Sequence, residues 1–213
     1  NPPDKCPLCG GETEIIKENN SEILICKNPD CQGKLLGKLS HAVSKNALDI
    51  DGLSDATLQR FINKGWICCI KDIYHLCAHK TDMLRMDGFG EKSVENLLGS
   101  IGRSRIISFD RFLAALSIPL IGTSASKDMA KMCNYDIKKF KQIMGESPYK
   151  FTAIDGFGDK MAHSLFVWWT NNCNKFLELE KEFFFKEINE NPAENKLEGK
   201  NFVITGKLHH FAN

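Results

Sequence analysis

The hexapeptide Asp87-Gly88-Phe89-Gly90-Glu91-Lys92 returns 68 residues later as Asp155-Gly156-Phe157-Gly158-Asp159-Lys160, with one acid exchanged for another. Each copy runs into an apolar pattern of helical period. Val94, Leu97, Leu98 and Ile101 follow the first; Ala162, Leu165, Phe166 and Trp169 follow the second. Both keep the i, i+3, i+4, i+7 spacing of one helix face. A Gly-x-Gly turn that opens a helix lets the backbone turn tightly with no Cβ in the way. The helix start leaves N–H groups unpaired, and these attract an anion. Lys92 and Lys160 add positive charge beside them. Used twice, the device points to a polyanion, and DNA is the obvious one.

Two weaker copies fill out the pattern. Ile50-Asp51-Gly52-Leu53-Ser54 precedes Leu58, Phe61 and Ile62, with Gly65 as a helix stop. Ile118-Pro119-Leu120-Ile121-Gly122 precedes Ala125, Met129 and Met132. The first turn position is then Gly52, Gly88, Leu120 and Gly156, and units one and three lie 68 residues apart, as do two and four. A repeat of this kind indicates a duplicated pair of stacked units. Apolar helical patterns also precede the turns: Phe109, Phe112, Leu113 and Leu116 before the third, Met83, Leu84 and Met86 before the second, Phe151 and Ile154 before the fourth. Residues 37–178 therefore read as a mostly α, four-unit helical domain. Phosphate contact is expected at Gly88, Phe89, Gly90 and Lys92 and at Gly156, Phe157, Gly158 and Lys160, with lesser roles for Gly52 and Gly122. Ser54 stands where the second glycine would be, and Leu120 where the first would be; packing is an equally good role there. Ser54, Thr123 and Ser124 are candidates to cap helices.

Ahead of this domain, Cys6-Pro7-Leu8-Cys9 and Cys26-x4-Cys31 form two close pairs separated by 16 residues. Four thiolates on two short knuckles are the usual ligand set of structural Zn2+. Glu14–Ile16 and Glu22–Ile25 can pair as a short β-hairpin around a turn at Asn19-Asn20-Ser21. Segments this short bury no core, so a metal would supply the folding energy. Two disulfides are the alternative. Nine cysteines, an odd number, with Cys68 and Cys69 adjacent, fit a reducing compartment better than a disulfide framework.

The chain divides into a four-cysteine finger (1–36), the helical domain (37–178), an acidic helix end and linker (179–196) and the truncated start of another domain (197–213). Glu178 to Glu198 holds seven Glu and three Lys, which leaves the rest of the chain at +5 against a total of +1. Leu177 to Glu187 has a helical pattern that includes Phe183, Phe184 and Phe185, three aromatics that cannot share one helix face. No apolar run of about 18 residues is present, so no helix is expected to span a membrane. The opening Asn-Pro-Pro-Asp-Lys-Cys, with neither Met nor a signal pattern, reads as the start of a fragment.

In order, these features resemble the C-terminal half of the bacterial NAD-dependent DNA ligases: zinc finger, four helix–hairpin–helix units and the start of a BRCT domain. Ile50-Asp51-Gly52-Leu53, Asp87 to Ser93, and Gly199-Lys200-Asn201-Phe202-Val203-Ile204-Thr205-Gly206 carry the likeness. The resemblance implies a parent enzyme that adenylates a lysine with NAD, transfers AMP to a 5′-phosphate and seals nicks during DNA replication and repair, with Mg2+ as a further cofactor. It also implies a phosphate-binding turn at Thr205 and Gly206. That family's nucleophilic lysine lies in Lys-x-Asp-Gly, and this chain contains no such motif. No catalytic residue is therefore expected here; the chain would clamp nicked double-stranded DNA, without sequence preference, as a monomer. The implied location is the bacterial cytoplasm, associated with the nucleoid. Two rival readings remain open: a non-enzymatic DNA-binding module of another repair protein, and a protein-interaction scaffold in which the turns are only corners.

Overall fold

A computed structural model describes residues 2–18 and 21–187. The finger comes first. Strands β1 (Thr13–Glu18) and β2 (Ser21–Cys26) pair antiparallel, with Thr13 opposite Cys26 and Glu18 opposite Ser21. Ile15, Ile16, Ile23 and Leu24 all stay exposed, so this hairpin has no apolar core of its own. Helix α1 (Gln32–Val43) starts at the residue after Cys31, which is its N-cap. The boundary expected at 36/37 thus falls inside α1, because the fourth cysteine also begins the helix.

Next come α2 (Asp55–Asn63), α3 (Ile70–Ile73), a 3-10 turn (Leu76–His79) and α4 (Lys80–Met83). Helix α5 (Glu91–Ser104), a two-residue strand β3 (Ile106–Ile107), α6 (Phe109–Ala115) and α7 (Thr123–Met132) follow. Helix α8 (Ile137–Glu146), a 3-10 turn (Pro148–Ala153) and α9 (Asp159–Leu179) complete the helical body. One continuous apolar core runs from Leu39 to Phe183. At its centre Phe109, Phe112, Phe140 and Phe176 pack ring against ring, with centroids 5.4–6.3 Å apart. The residues expected on the inner faces of α2, α5 and α6 are buried there, except Leu98, which is half-buried; Phe166 of α9 and Leu84 are instead exposed.

The acidic helix ends earlier than its pattern indicates. After α9 a 3-10 turn (Glu180–Glu182) leads into β4 (Phe184–Phe185), which pairs parallel with β3. A strand alternates its side chains. Phe183 packs on Phe112 and Tyr74, Phe185 packs on Phe109 and Phe112, and Phe184 between them is 71% exposed. Three adjacent aromatics suit a strand edge better than a helix. Arg105 fixes this segment: its guanidinium bonds the Glu182 carboxylate at 2.6 Å and the Tyr74 carbonyl at 2.9 Å, and stacks on the Tyr74 ring. The residues expected to open a further domain, Thr205 and Gly206 among them, lie outside the described part. No helix of the described residues is long and apolar enough to cross a membrane.

Candidate nucleic-acid interface and metal centre

The four cysteines converge. Cys6 and Cys9 lie on a knuckle closed by Gly10 N–H to the Cys6 carbonyl (2.8 Å) and by Cys6 N–H to the Gly11 carbonyl (2.7 Å). Position 11 has to be glycine, since a Cβ there would meet the Asn28 Cβ at 2.9 Å. Cys26 ends β2 and Cys31 opens α1. All four sulfurs lie within 4.8 Å of one another, with Cys6–Cys31 at 3.9 Å and Cys9–Cys26 at 3.5 Å. A disulfide needs about 2.05 Å. A tetrahedral ion with sulfur ligands at about 2.3 Å sets them about 3.8 Å apart. The cluster fits an ion, and all-thiolate ligation leaves no open position for catalysis. The Gly11 N–H holds the Cys9 thiol down to about 6. Lost solvation, then the neighbouring Cys9, pushes Cys26 up to about 12. A cation among them would hold all four as thiolates. Among the described residues no second group of three or more such ligands forms.

The four turns share one backbone plan. Gly52, Gly88, Leu120 and Gly156 all have positive φ, at 92°, 83°, 66° and 77°. In units two, three and four the turn is closed by an N–H three residues on: Phe89 to Met86, Ile121 to Ile118, and Phe157 to Ile154, at 3.0–3.1 Å. A positive φ at the third position of such a turn is the type II requirement, which explains the preference for glycine. Two residues later each chain enters a helix, with Ser54, Gly90, Gly122 and Gly158 as N-caps.

Those caps separate the units. The Ser54 hydroxyl accepts from Thr57 N–H at 3.3 Å, so the first helix start fills its own donor site. Gly90, Gly122 and Gly158 supply no side-chain cap, and a Cβ built on any of them meets nothing within 4 Å. Their missing side chains serve no internal packing. They leave three helix starts with free N–H groups and open space in front, the geometry that accepts an anion. Gly52 is different, because a Cβ there would press on Leu97 of α5 at 3.3 Å. Gly88 and Gly156, like Gly90 and Gly158, face open space. Lys92 and Lys160 are exposed and make no ion pair among the described residues.

The two phenylalanines of the hexapeptides pack toward the core. Phe157 is 3% exposed and packs on Phe151. Phe89 is half-buried against Phe61 and covered by the Arg60 guanidinium. An aromatic between two turn glycines has the core beneath it, so it points inward. Helix α7 starts as α5 and α9 do, which places Gly122 with Gly90 and Gly158. Thr123 and Ser124 lie inside its first turn and do not cap it.

The braces between units carry no sequence signal. Arg60 Nη1 donates to the Asp87 carbonyl at 2.9 Å, and Asp51 N–H donates to Ser100 Oγ at 2.9 Å; these tie turns one and two. Ser164 of α9 donates to the Pro119 carbonyl at 2.6 Å, tying turn three to the helix that turn four opens. Beside the start of α7 a polar cleft of about 480 Å³ is lined by Lys45, Arg111, Lys127, Thr123 and Ser124. Arg111 holds its wall by donating to the Lys45 and Ala47 carbonyls at 2.7 and 2.9 Å.

No family model matches the chain. Individual proteins do. A DNA ligase of Lachnoclostridium phytofermentans is 34% identical over 213 residues, which is 99% of this chain and 32% of that protein. A DNA ligase of Prochlorococcus marinus (strain NATL1A) is 36% identical over 97% of this chain and 30% of its own length. One from Fusobacterium nucleatum is 34% identical over 98% and 30%. The chain spans about a third of the length of the curated relatives it matches.

Proposed function

Since this chain is similar, over nearly its whole length, to a third of DNA ligase, we propose that it is the DNA-gripping C-terminal portion of such an enzyme. The parent seals nicks in duplex DNA, is charged by NAD and uses Mg2+, and the chemistry lies in the part of the ligase that this chain does not cover. Here the chain supplies grip. One observation carries the reading: the starts of α5 and α9 are capped only by glycine, open outward and flanked by Lys92 and Lys160, which make no ion pair among the described residues. Backbone N–H groups and lysines read phosphate rather than base, so the hold is indifferent to sequence. That suits a ligase, which meets nicks anywhere. The four units act as a helix–hairpin–helix domain, α7 joins α5 and α9 as a contact, and in the first unit Ser54 caps its own helix while Gly52 serves packing. The cysteine cluster holds one Zn2+ through Cys6, Cys9, Cys26 and Cys31, with a structural role. Beyond the described residues, Thr205 and Gly206 belong to a BRCT start. The chain works as a monomer in the bacterial cytoplasm, on nucleoid DNA.

Fluorescence anisotropy with a labelled nicked duplex, repeated at several salt concentrations, tests the grip. Four to six phosphate contacts give a slope of log K against log salt of about −4 to −5. Absence of salt-dependent binding would overturn the reading. A ligation assay on the isolated chain should show no sealing; NAD-dependent sealing would put the chemistry here instead.

A further inference from the structure

The third turn differs from the second and fourth at its tip. Those carry Asp87-Gly88 and Asp155-Gly156; the third carries Pro119-Leu120. Leu120 adopts the left-handed φ of 66° that the glycines adopt freely, and its side chain is 61% exposed. An L-residue there is strained, and exposure means that little internal packing offsets the strain. Two neighbours hold the tip in place. Pro119 presets the second position of the turn, where proline is favoured. Ser164 clamps the Pro119 carbonyl at 2.6 Å. The result is a rigid apolar point two residues ahead of a glycine-capped helix start.

We propose that Leu120 is an apolar contact of the duplex, lying against deoxyribose carbons of the groove wall while the start of α7 holds the adjoining phosphate. This rests on the DNA-gripping role proposed above and deepens it. A polymer whose phosphate sits at the N–H groups of Thr123 and Ser124 places its next unit, a sugar, beside the tip. Carbon faces carbon there, whereas Gly88 or Gly156 at the matching position offers no side chain. The third turn thus grips by shape and apolar cover, where the second and fourth grip by charge.

The test uses Leu120→Gly, Leu120→Asn and Leu120→Met in the 213-residue chain. Gly and Asn both tolerate positive φ, so both keep the turn. Covering a mostly exposed leucine corresponds to about a 5- to 10-fold loss of affinity for nicked duplex in each. The salt slope should stay unchanged, because no phosphate contact is removed. Leu120→Met should restore most of the binding. Leu120→Gly should at the same time raise the thermal midpoint by releasing the strain. Unchanged affinity in the Gly and Asn variants, with a wild-type chain that binds, overturns this inference alone. So does a loss of affinity that comes with a shallower salt slope. A wild-type chain that fails to bind duplex removes the gripping role, and this contact with it.

Discussion

Replacing Gly90 and Gly158 together by alanine separates an anion site from a plain corner. Both residues have ordinary extended backbone, φ −80° and −81°, so alanine introduces no strain. A Cβ on either meets nothing within 4 Å, so it introduces no clash. The folding cost is limited to the poorer capping of alanine, about 0.5–1 kcal/mol per site. That lowers the thermal midpoint by a few degrees in a domain of this size. The same two methyl groups stand in the space a phosphate must enter. A hydrogen bond to a charged group is worth about 1.5–3 kcal/mol. Losing one at each turn removes about 3 kcal/mol at the low end, roughly a 100-fold weaker Kd. Anisotropy with nicked duplex reads the affinity, and circular dichroism on the same samples reads the fold. Gly88 and Gly156 are less clean targets, because φ of 83° and 77° would mix backbone strain with lost contact. If the folded double variant binds like the wild type, the turns are only corners and the phosphate argument fails.

The remaining predictions concern stability. Gly52→Ala should cost about 1–3 kcal/mol in denaturant unfolding, because a φ of 92° and Leu97 at 3.3 Å both oppose a Cβ; a cost near zero would contradict the close packing of turn one on α5. Native mass spectrometry should find one bound zinc, and removing it with a chelator should unfold residues 2–31 while the helical signal largely persists, since the core begins at Leu39; global unfolding would show that the finger supports the helical body. Arg105→Ala should destabilise by about 2–3 kcal/mol, since it leaves the Glu182 carboxylate, only 12% exposed, with His75 as its remaining partner, and frees the Tyr74 carbonyl. Acid should act through the same region. Burial pushes the Glu182 carboxyl up, but hydrogen bonds from Arg105 and His75 outweigh it and hold the group below its usual range. Lys181 and Lys71 hold Glu178 down to about 2. Carboxylates lowered on folding stabilise above their unfolded value of about 4.3 and lose that contribution as pH falls through the folded value. Thermal midpoints should therefore fall between about pH 4.5 and 2 and hold steady above it, and Arg105→Ala should flatten the decline.

Much of the fold is legible where a local rule and tertiary packing agree. Leu58, Phe61, Ile62, Val94, Leu97 and Ile101 keep a helical period and are buried on it. The four cysteines have ligand spacing and converge. Reading fails where two environments share one pattern. Phe183 to Phe185 continue a helical stretch in composition, yet the pairing of β4 with β3 turns them into an alternating strand. Phe157 lies between two exposed glycines but is held in the core. Leu120 looks like a broken motif because glycine is the residue that type II turns favour; Pro119 and Ser164 show how the same backbone is held without it. The division between self-capped Ser54 and open Gly90, Gly122 and Gly158 depends on a hydrogen bond that letters alone do not display.

One residue, Cys31, closes the metal cluster and begins α1. The 12 residues of α1 then form a rod about 18 Å long. Ser40 near its far end bonds Asp55, at the start of the helix that leaves turn one. No swivel separates the cysteine cluster from the helical body. A tilt of about 10° at the cysteines would swing the far end by about 3 Å, the span of a hydrogen bond. The finger therefore works as a lever arm: whatever orients it on a surface also aims the first turn, and an ion held by the four cysteines would set the stiffness of that transmission.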